Sequence, residues 1–230
     1  MRLTHSLDCN IYAVHRGDGE WFLVDAGCGE EPERIVRMLR KHGVSMDHVK
    51  TVFLTHGHAD HAIGAKFWKS KYNLEIVAGP IAARWLRDGD RKAACLDRAI
   101  RAGAYWPGFP YPRLKVDAVL RAGDVRRYRN GTLTAIASDG HCVGRFSYLW
   151  KSKSGNVLFS GDALFPDGKI VVALLPDSDL NEAADSVQRL LKLKFGILCA
   201  GHGSPQKVGP RTFEKTRQRL AKLLPPDSFL

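Results

Sequence analysis

The sequence of 230 residues lacks any apolar run long enough to cross a bilayer. Its opening, Met1–His5, lacks the charged and then apolar pattern of a secretory signal peptide. These two absences predict a cytoplasmic protein with no membrane partner. The chain also lacks a linker rich in proline, glycine and serine, and it has no low-complexity stretch. We therefore expect a single domain over residues 1–230.

Cysteine is scarce, and no C-x-x-C pair occurs. An odd number of thiols without such a pair fits a reduced compartment better than a disulfide framework. Cys142 and Cys199 lie near glycine-rich loops, but we expect both to be small buried residues, because buried cysteine commonly packs as a compact apolar side chain. The thiols are Cys9, Cys28, Cys95, Cys142 and Cys199.

The strongest positive feature is the segment 55–61, which reads Thr-His-Gly-His-Ala-Asp-His and follows the apolar stretch 51–54. It contains the candidate metal ligands His56, His58, Asp60 and His61. Imidazole nitrogen and carboxylate oxygen together suit zinc, iron or manganese without thiolate. On an extended loop, the first two histidines can face one ion while Asp60 and His61 face a neighbouring ion. The segment therefore predicts half of a two-metal site.

Three further segments have a strand-like run followed by glycine beside a histidine or an aspartate. The runs 132–138, 156–160 and 196–200 precede His141, Asp162 and His202, respectively. Glycine permits positive φ and close backbone approach, which a loop turning around an ion requires. A lone histidine after a strand is more often hydrogen-bonded or solvated. The recurrence of the pattern in one chain nevertheless favours these three residues as the remaining ligands.

In this order, these residues resemble the metallo-β-lactamase superfamily of metal-dependent hydrolases, and the resemblance covers nearly the whole chain. It implies that His56, His58 and His141 hold one divalent ion, that Asp60, His61 and His202 hold a second, and that Asp162 bridges both. It also implies that Asp25 lies beneath the metal loop and orients it by hydrogen bonds. A turn residue before Gly27 is the equal alternative for Asp25.

The resemblance and the strand pattern predict an α/β fold, an αββα sandwich of two mixed β-sheets flanked by helices. Residues 10–14 and 21–25 are expected to form a hairpin, and Pro32 to begin a helix with the apolar stripe Ile35, Val36 and Leu39. Two more hairpins turn at Asn130-Gly131 and at 154–156. Amphipathic patterns predict late helices over Leu180–Lys192 and Arg211–Leu224.

The predicted activity is hydrolysis by a dinuclear metal enzyme, with zinc favoured and manganese or iron as alternatives. Two cations about 3.5–4 Å apart can ionise a bridging water and supply hydroxide as nucleophile. The hydroxide would attack a small thioester, ester or lactone, as in a thioesterase or lactonase. Asp60 and Asp162 would be the catalytic carboxylates, which neutralise the cations and set their separation.

Departures from subfamily patterns narrow the substrate. The stretch 161–165 resembles glyoxalase II-type thioesterases, but 166–170 lacks their glycine-cysteine-glycine-basic motif, which argues against glutathione thioesters. Persulfide dioxygenases have a similar glycine-rich motif after the aspartate, and this motif is also absent here. Phe165 stands where one group of lactonases has an assisting tyrosine. The bridging Asp162 argues against β-lactam hydrolysis, because true β-lactamases usually lack it.

Residues 80–129 are predicted to be a lid or specificity insertion. This segment holds Trp85, Tyr105, Trp106, Phe109 and Tyr111. Aromatic walls are typical of small-molecule pockets, and packing of these rings onto the sandwich is the equal alternative.

Two alternatives to a hydrolase of small thioesters, esters or lactones stay open. The net charge of +11, with many arginines in 80–129, agrees with a small anionic substrate or with a phosphodiesterase or nuclease acting on phosphate esters, nucleic acid being the weaker candidate partner. A non-catalytic, metal-retaining scaffold is a further alternative. The oligomeric state is not predicted.

Overall fold

The computed structural model describes residues 8–172 and 175–229, and the chain divides into two compact units. Unit 1 consists of the residues up to Arg121 together with Tyr128–Asn130. Unit 2 consists of Ala122–Arg127 and the residues from Gly131 onward. Within the described ranges, no helix combines the length and the apolar character that crossing a membrane would need. The single domain over 1–230 stays a prediction.

The described strands of unit 1 are β1 (Tyr12–Gly17), β2 (Glu20–Val24), β3 (Val49–Phe53), β4 (Glu75–Ala78) and β5 (Ala118–Val119). They form one mixed sheet in this order. The first two strands make the predicted antiparallel hairpin, and the later neighbours are parallel. The hairpin turns through Asp18 and Gly19, whose φ angles are +52° and +75°. Aspartate and glycine tolerate this left-handed region better than most residues.

The helices of unit 1 are α1 (Pro32–Lys41), α2 (Ala59–Ala62), α3 (Ala65–Tyr72), α4 (Pro80–Asp88) and α5 (Leu96–Arg101). Helix α1 begins at Pro32 and buries Ile35, Val36 and Leu39, as predicted. Trp68 on α3 is completely buried, and its indole N–H donates to the carbonyl of Ala26 at 2.9 Å. This bond fixes the turn after β2 to a helix of the core.

Unit 2 carries the second mixed sheet. Its strands are β6 (Val125–Tyr128), β7 (Gly131–Ala137), β8 (Phe146–Ser152), β9 (Gly155–Gly161), β10 (Ile197–Ala200) and β11 (Gln206–Lys207), and they are adjacent in reverse sequence order. The pair β9 and β10 is parallel, while β7 with β8, β8 with β9 and β10 with β11 are antiparallel. The two predicted hairpin turns therefore lie between neighbouring strands.

The late helices are α6 (Leu180–Leu191) and α7 (Glu214–Ala221). Helix α6 matches its prediction to within one residue and buries Ala183, Val187, Leu190 and Leu191. The prediction of a helix over Arg211–Leu224 was wrong by three residues at each end. Before α7, the hydroxyl of Thr212 accepts from the N–H of Gly209 in a turn at 2.7 Å. After it, Leu223 has a φ of +57°, which a right-handed helix cannot continue through.

We expect Asp179→Ala to destabilise unit 2, because the Asp179 carboxylate caps α6. It accepts from the N–H groups of Asn181 (2.8 Å) and Glu182 (3.0 Å). Losing such a cap costs about 1 kcal/mol of unfolding free energy, which urea unfolding measures. Asp185→Ala is the matched control, since Asp185 is exposed on the same helix. Equal losses in both variants would contradict the capping role.

Candidate functional site

Two strand ends of unit 1 bring Asp25 next to the histidine-rich segment 55–61. Asp25 directly follows β2, and the segment follows β3, which is the parallel neighbour of β2 with Val24 opposite Phe53. The carboxyl ends of parallel neighbours lie at one edge of a sheet. The N–H of Asp25 donates to the carbonyl of Phe53 at 2.8 Å, so the pairing continues past the strand end. The sheet itself therefore positions Asp25 beneath the segment.

The carboxylate of Asp25 is the hydrogen-bonding centre of this segment. Its Oδ1 accepts from the backbone N–H (2.7 Å) and the hydroxyl (2.9 Å) of Thr55. Its Oδ2 accepts from Nδ1 of His61 at 2.9 Å. Asp25 is 2% exposed, and hydrogen bonds are strengthened in such a dry environment. The side chain of Asp25 thus orients the segment, and its backbone has a φ of +64°.

This one carboxylate sets the tautomers of two histidines. Because a carboxylate only accepts hydrogen bonds, Nδ1 of His61 carries a proton, and in the neutral ring Nε2 then keeps a lone pair. The single hydroxyl proton of Thr55 is donated to Asp25, so the Thr55 oxygen accepts from Nδ1 of His56 at 3.0 Å. Nε2 of His56 is then also left with a lone pair. Both imidazoles are in the form that ligates metals.

The four predicted ligands of unit 1 lie together. Nε2 of His61 is 3.4 Å from Oδ2 of Asp60, and the ring centroids of His56 and His58 are 4.8 Å apart. Two ligand atoms that each lie about 2.1 Å from one tetrahedral ion are separated by about 3.4 Å. Asp60 and His61 therefore have the spacing of two ligands on a single ion. His56 and His61 are buried, whereas His58 and Asp60 are partly exposed.

The three predicted ligands of unit 2 follow strands whose carboxyl ends point the same way. His141 follows β7, Asp162 follows β9 and His202 follows β10. β9 and β10 are parallel neighbours, and the N–H of Gly201 donates to the carbonyl of Gly161 at 2.7 Å. β7 runs in the direction of β9, because both are antiparallel to β8. All three residues leave this sheet at one edge.

Asp162 lies beside both histidines of unit 2. Its Oδ2 is 3.6 Å from Nε2 of His141 and 3.6 Å from Nε2 of His202. Nδ1 of His141 donates to the carbonyl of Val171 at 2.8 Å, so the atom facing Asp162 is the one with the lone pair. Asp162 is buried, at 5% exposure. This set of nitrogen and carboxylate oxygen donors fits a divalent zinc, iron or manganese ion.

The loop that carries His141 packs tightly against helix α6. Gly140 has a φ of +126°, and a Cβ at this position would lie 2.3 Å from the backbone of Ala183. Only glycine therefore fits here. The hydroxyl of Ser186, also on α6, donates to the carbonyl of Asp139 at 2.7 Å. The helix thus fixes the backbone from which His141 projects.

The hydroxyl of Tyr111 contacts the histidine-rich segment, a role that the sequence did not predict. It donates to the carbonyl of Gly57 at 2.7 Å. Burial, followed by the charge of Asp60, raises the pKa of the Tyr105 phenol. The sequence marked both rings only as part of an aromatic wall. The Tyr111 contact joins positions 54 apart, which no local pattern can indicate.

The aromatic residues of 80–129 are mostly in the core of unit 1. Trp85, Phe109 and Tyr111 are buried, Tyr105 is partly buried and Trp106 is 47% exposed. The packing alternative therefore accounts for three of these rings. The lid or specificity role of the segment stays a prediction.

All five cysteines are free thiols and all are buried, including Cys142 and Cys199, for which burial was predicted. Burial raises the pKa of Cys199 to about 12, and such a thiol is unreactive at neutral pH. Cys9, for which no role was predicted, has its sulfur within 4.8 Å of the donor atoms of Asp25 and His61. Burial also raises its pKa, and the nearby His61 opposes that rise.

Comparisons with known proteins agree on one family. The family model described as the metallo-beta-lactamase superfamily matches residues 6–202. The hydroxyacylglutathione hydrolase GloC of Haemophilus influenzae is 27% identical over 189 residues, which cover 79% of this chain and 80% of GloC. The probable metallo-hydrolase YybB of Bacillus subtilis is 22% identical over 202 residues, which cover 84% of this chain and 80% of YybB.

Solved structures share the fold. The B3 metallo-beta-lactamase BLEG-1 superposes with a TM-score of 0.73 at 22% identity, covering 90% of this chain and 92% of BLEG-1. TTHA1623, solved in a di-iron-bound form, superposes with a TM-score of 0.69 at 25% identity, covering 90% of this chain and 94% of TTHA1623. The predicted fold class, two mixed β-sheets flanked by helices in the metallo-β-lactamase fold, is confirmed.

Replacing Asp25 by asparagine should weaken both folding and metal binding. The substitution keeps the size of the side chain but converts one acceptor into a donor, which then faces an N–H of Thr55 or of His61. We expect a loss of about 1–3 kcal/mol in the free energy of unfolding and a fall of about 10–100-fold in zinc affinity. Urea unfolding of the metal-free protein and competitive zinc titration measure these effects.

The exposed Asp47 offers the control for that experiment. Asp47→Asn makes the same chemical change on the surface of unit 1, and it should alter neither quantity. Wild-type zinc affinity in the Asp25→Asn variant would remove Asp25 from the metal-binding network.

Proposed function

The chain belongs to the metallo-β-lactamase superfamily, and we propose that it is a dinuclear metal-dependent hydrolase of a small thioester, ester or lactone. The observation that carries the proposal is a pair of residue groups, one in each unit. In each group, imidazole Nε2 atoms lie beside a carboxylate oxygen. In unit 1, Nε2 of His61 lies beside Asp60, and in unit 2 two Nε2 atoms lie beside Asp162. Neighbouring hydrogen bonds orient His61 and His141 for this purpose.

In this proposal, His56, His58 and His141 hold one divalent ion, Asp60, His61 and His202 hold the other, and Asp162 serves both. The matched family range contains all seven residues. Zinc is the favoured ion because histidine and aspartate are common zinc ligands. Iron is the next candidate, since TTHA1623 was solved in a di-iron-bound form, and manganese is compatible with the same donors.

Divalent ions held by these residues supply Lewis acidity toward a carbonyl oxygen and toward a water molecule. The residues of the chain contribute negative charge and a fixed orientation of the imidazole rings. The Asp60 and Asp162 carboxylates, the proposed catalytic residues, offset the positive charge of two cations. Asp25 and Thr55 keep the protons of His56 and His61 on the nitrogens that face away from the ligand positions. Fixed orientation of this kind lowers the reorganisation that the reaction requires.

A thioester or ester is proposed because of the similarity to GloC, whose name refers to hydroxyacylglutathione. The residues after Asp162 argue against glutathione as the thiol part of a thioester substrate. The stretch 166–170 lacks the glycine-cysteine-glycine-basic motif of the glyoxalase II-type enzymes and instead makes a short turn at Pro166–Gly168. Phe165 is 5% exposed and contacts Phe229 edge to face at 5.5 Å between centroids. It offers an apolar surface where a tyrosine would offer a hydroxyl.

Phosphate esters stay the alternative substrate class. Part of the positive charge in 80–129 is already neutralised by ion pairs, which weakens the case for a phosphate-binding surface. The pairs are Arg87 with Asp88, Arg91 with Asp97, and Arg129 with Asp18. A small anionic substrate and the absence of a membrane partner remain parts of the proposal.

Removing the metal with a chelator, or replacing Asp162 by alanine, should lower kcat/KM by at least about 100-fold, because each removes charge stabilisation of the reaction. The measurement is a panel of chromogenic thioester, ester, lactone, β-lactam and phosphodiester substrates, assayed with zinc, manganese and iron. Asp185→Ala, on the exposed face of α6, should retain wild-type turnover.

Full activity of the metal-free protein would refute the metal-dependent mechanism. Turnover of only bis-nitrophenyl phosphate would replace the proposed substrate class by the phosphodiesterase alternative. Tight metal binding without turnover of any substrate would favour the non-catalytic scaffold.

A further inference from the structure

The carbonyl of Gly57 receives a hydrogen bond from a distant side chain. Gly57 lies between the proposed ligands His56 and His58, and Tyr111 donates its hydroxyl proton to the Gly57 oxygen at 2.7 Å. Tyr111 is only 7% exposed, so water does not readily replace this bond. A buried carbonyl without a donor would be costly, and the bond therefore favours one peptide orientation between the two histidines.

A second contact holds the same peptide. A Cβ added to Gly57 would lie 2.7 Å from Cε3 of Trp85 and 3.4 Å from Cα of Ala82. Helix α4 thus packs directly on the backbone of Gly57, and Trp85 itself is 2% exposed. The peptide between the two ligands is enclosed by α4 and, through its carbonyl, is bonded to Tyr111.

We propose that Tyr111 and Trp85 are positioning residues of the metal-ligand segment. Both act on the peptide between His56 and His58, Tyr111 through the carbonyl of Gly57 and Trp85 through its packing on the Gly57 backbone. The inference rests on the proposed function, because it assigns a role toward the same ions.

The test uses Tyr111→Phe, which removes one oxygen and keeps the ring, and Trp85→Phe, which shortens the side chain packed on Gly57. Tyr72→Phe is the matched control, because Tyr72 is a partly buried ring of unit 1 that packs against Trp68. Zinc binding to each metal-free variant is measured stepwise by competition with a chelator. Cobalt replaces zinc in a second series, and its visible spectrum reports the ligand geometry. Thermal unfolding of the metal-free proteins reports folding.

Contacts to the groups around a metal ligand typically change metal affinity by about 10–100-fold. We expect each of the two variants to weaken one of the two zinc-binding steps by about that factor, with an altered cobalt spectrum. We also expect Tyr111→Phe and Trp85→Phe to weaken the same step, since both side chains hold the peptide between His56 and His58. Tyr72→Phe should match the wild type in both measurements.

Wild-type zinc affinities and cobalt spectra in both Tyr111→Phe and Trp85→Phe would overturn the positioning role, even if their thermal midpoints fell. Trp85→Phe keeps the test decisive if Tyr111→Phe does not fold. Failure of the wild-type protein to bind any zinc would instead overturn the proposed function, on which this inference depends.

Discussion

The structure of unit 1 depends on one buried carboxylate. Asp25 accepts hydrogen bonds from the backbone and side chain of Thr55 and from His61, and through Thr55 it also sets the proton position on His56. A carboxylate oxygen can only accept a hydrogen bond, so the atoms that face Asp25 must donate. This one aspartate therefore determines which nitrogen of each neutral histidine ring keeps a lone pair. The remaining loop contacts, from α4 and from Tyr111, act on a segment that this carboxylate has already oriented.

Strand direction accounts for the common position of the three proposed ligands of unit 2. In unit 2, β7, β9 and β10 run the same way, so the residues that follow them leave the sheet at one edge. Glycine is required where the loops turn most closely, as at Gly140 against α6. Asp162 then stands at equal distances from two histidines. The backbone thus sets the positions of these residues, and the hydrogen bond from Nδ1 of His141 to the carbonyl of Val171 orients the imidazole ring.

In the proposed function, substrate preference would depend on the residues around the proposed ligands. Phe165 is buried against Phe229, whereas Trp106 is 47% exposed in the 80–129 segment. An apolar acyl group would suit an exposed ring of this kind, because burying apolar area is favourable in water. Ion pairs neutralise part of the arginine charge in 80–129, which leaves less positive charge to attract an anion.

The sequence determined the hairpins, the start of α1 and the extent of α6, because each is encoded locally as periodicity or turn residues. The family resemblance, together with the strand pattern, determined the fold class, and the ligand assignments stay a prediction. The sequence misjudged the ends of α7, where Leu223 adopts a positive φ that leucine rarely takes. It left Asp25 undecided between two roles and indicated no role for the hydroxyl of Tyr111. Those roles depend on atoms brought together from positions 30, 36 and 54 residues apart. Only tertiary structure decided them, because hydrogen-bond partners are chosen by proximity in space, which one-dimensional patterns do not encode.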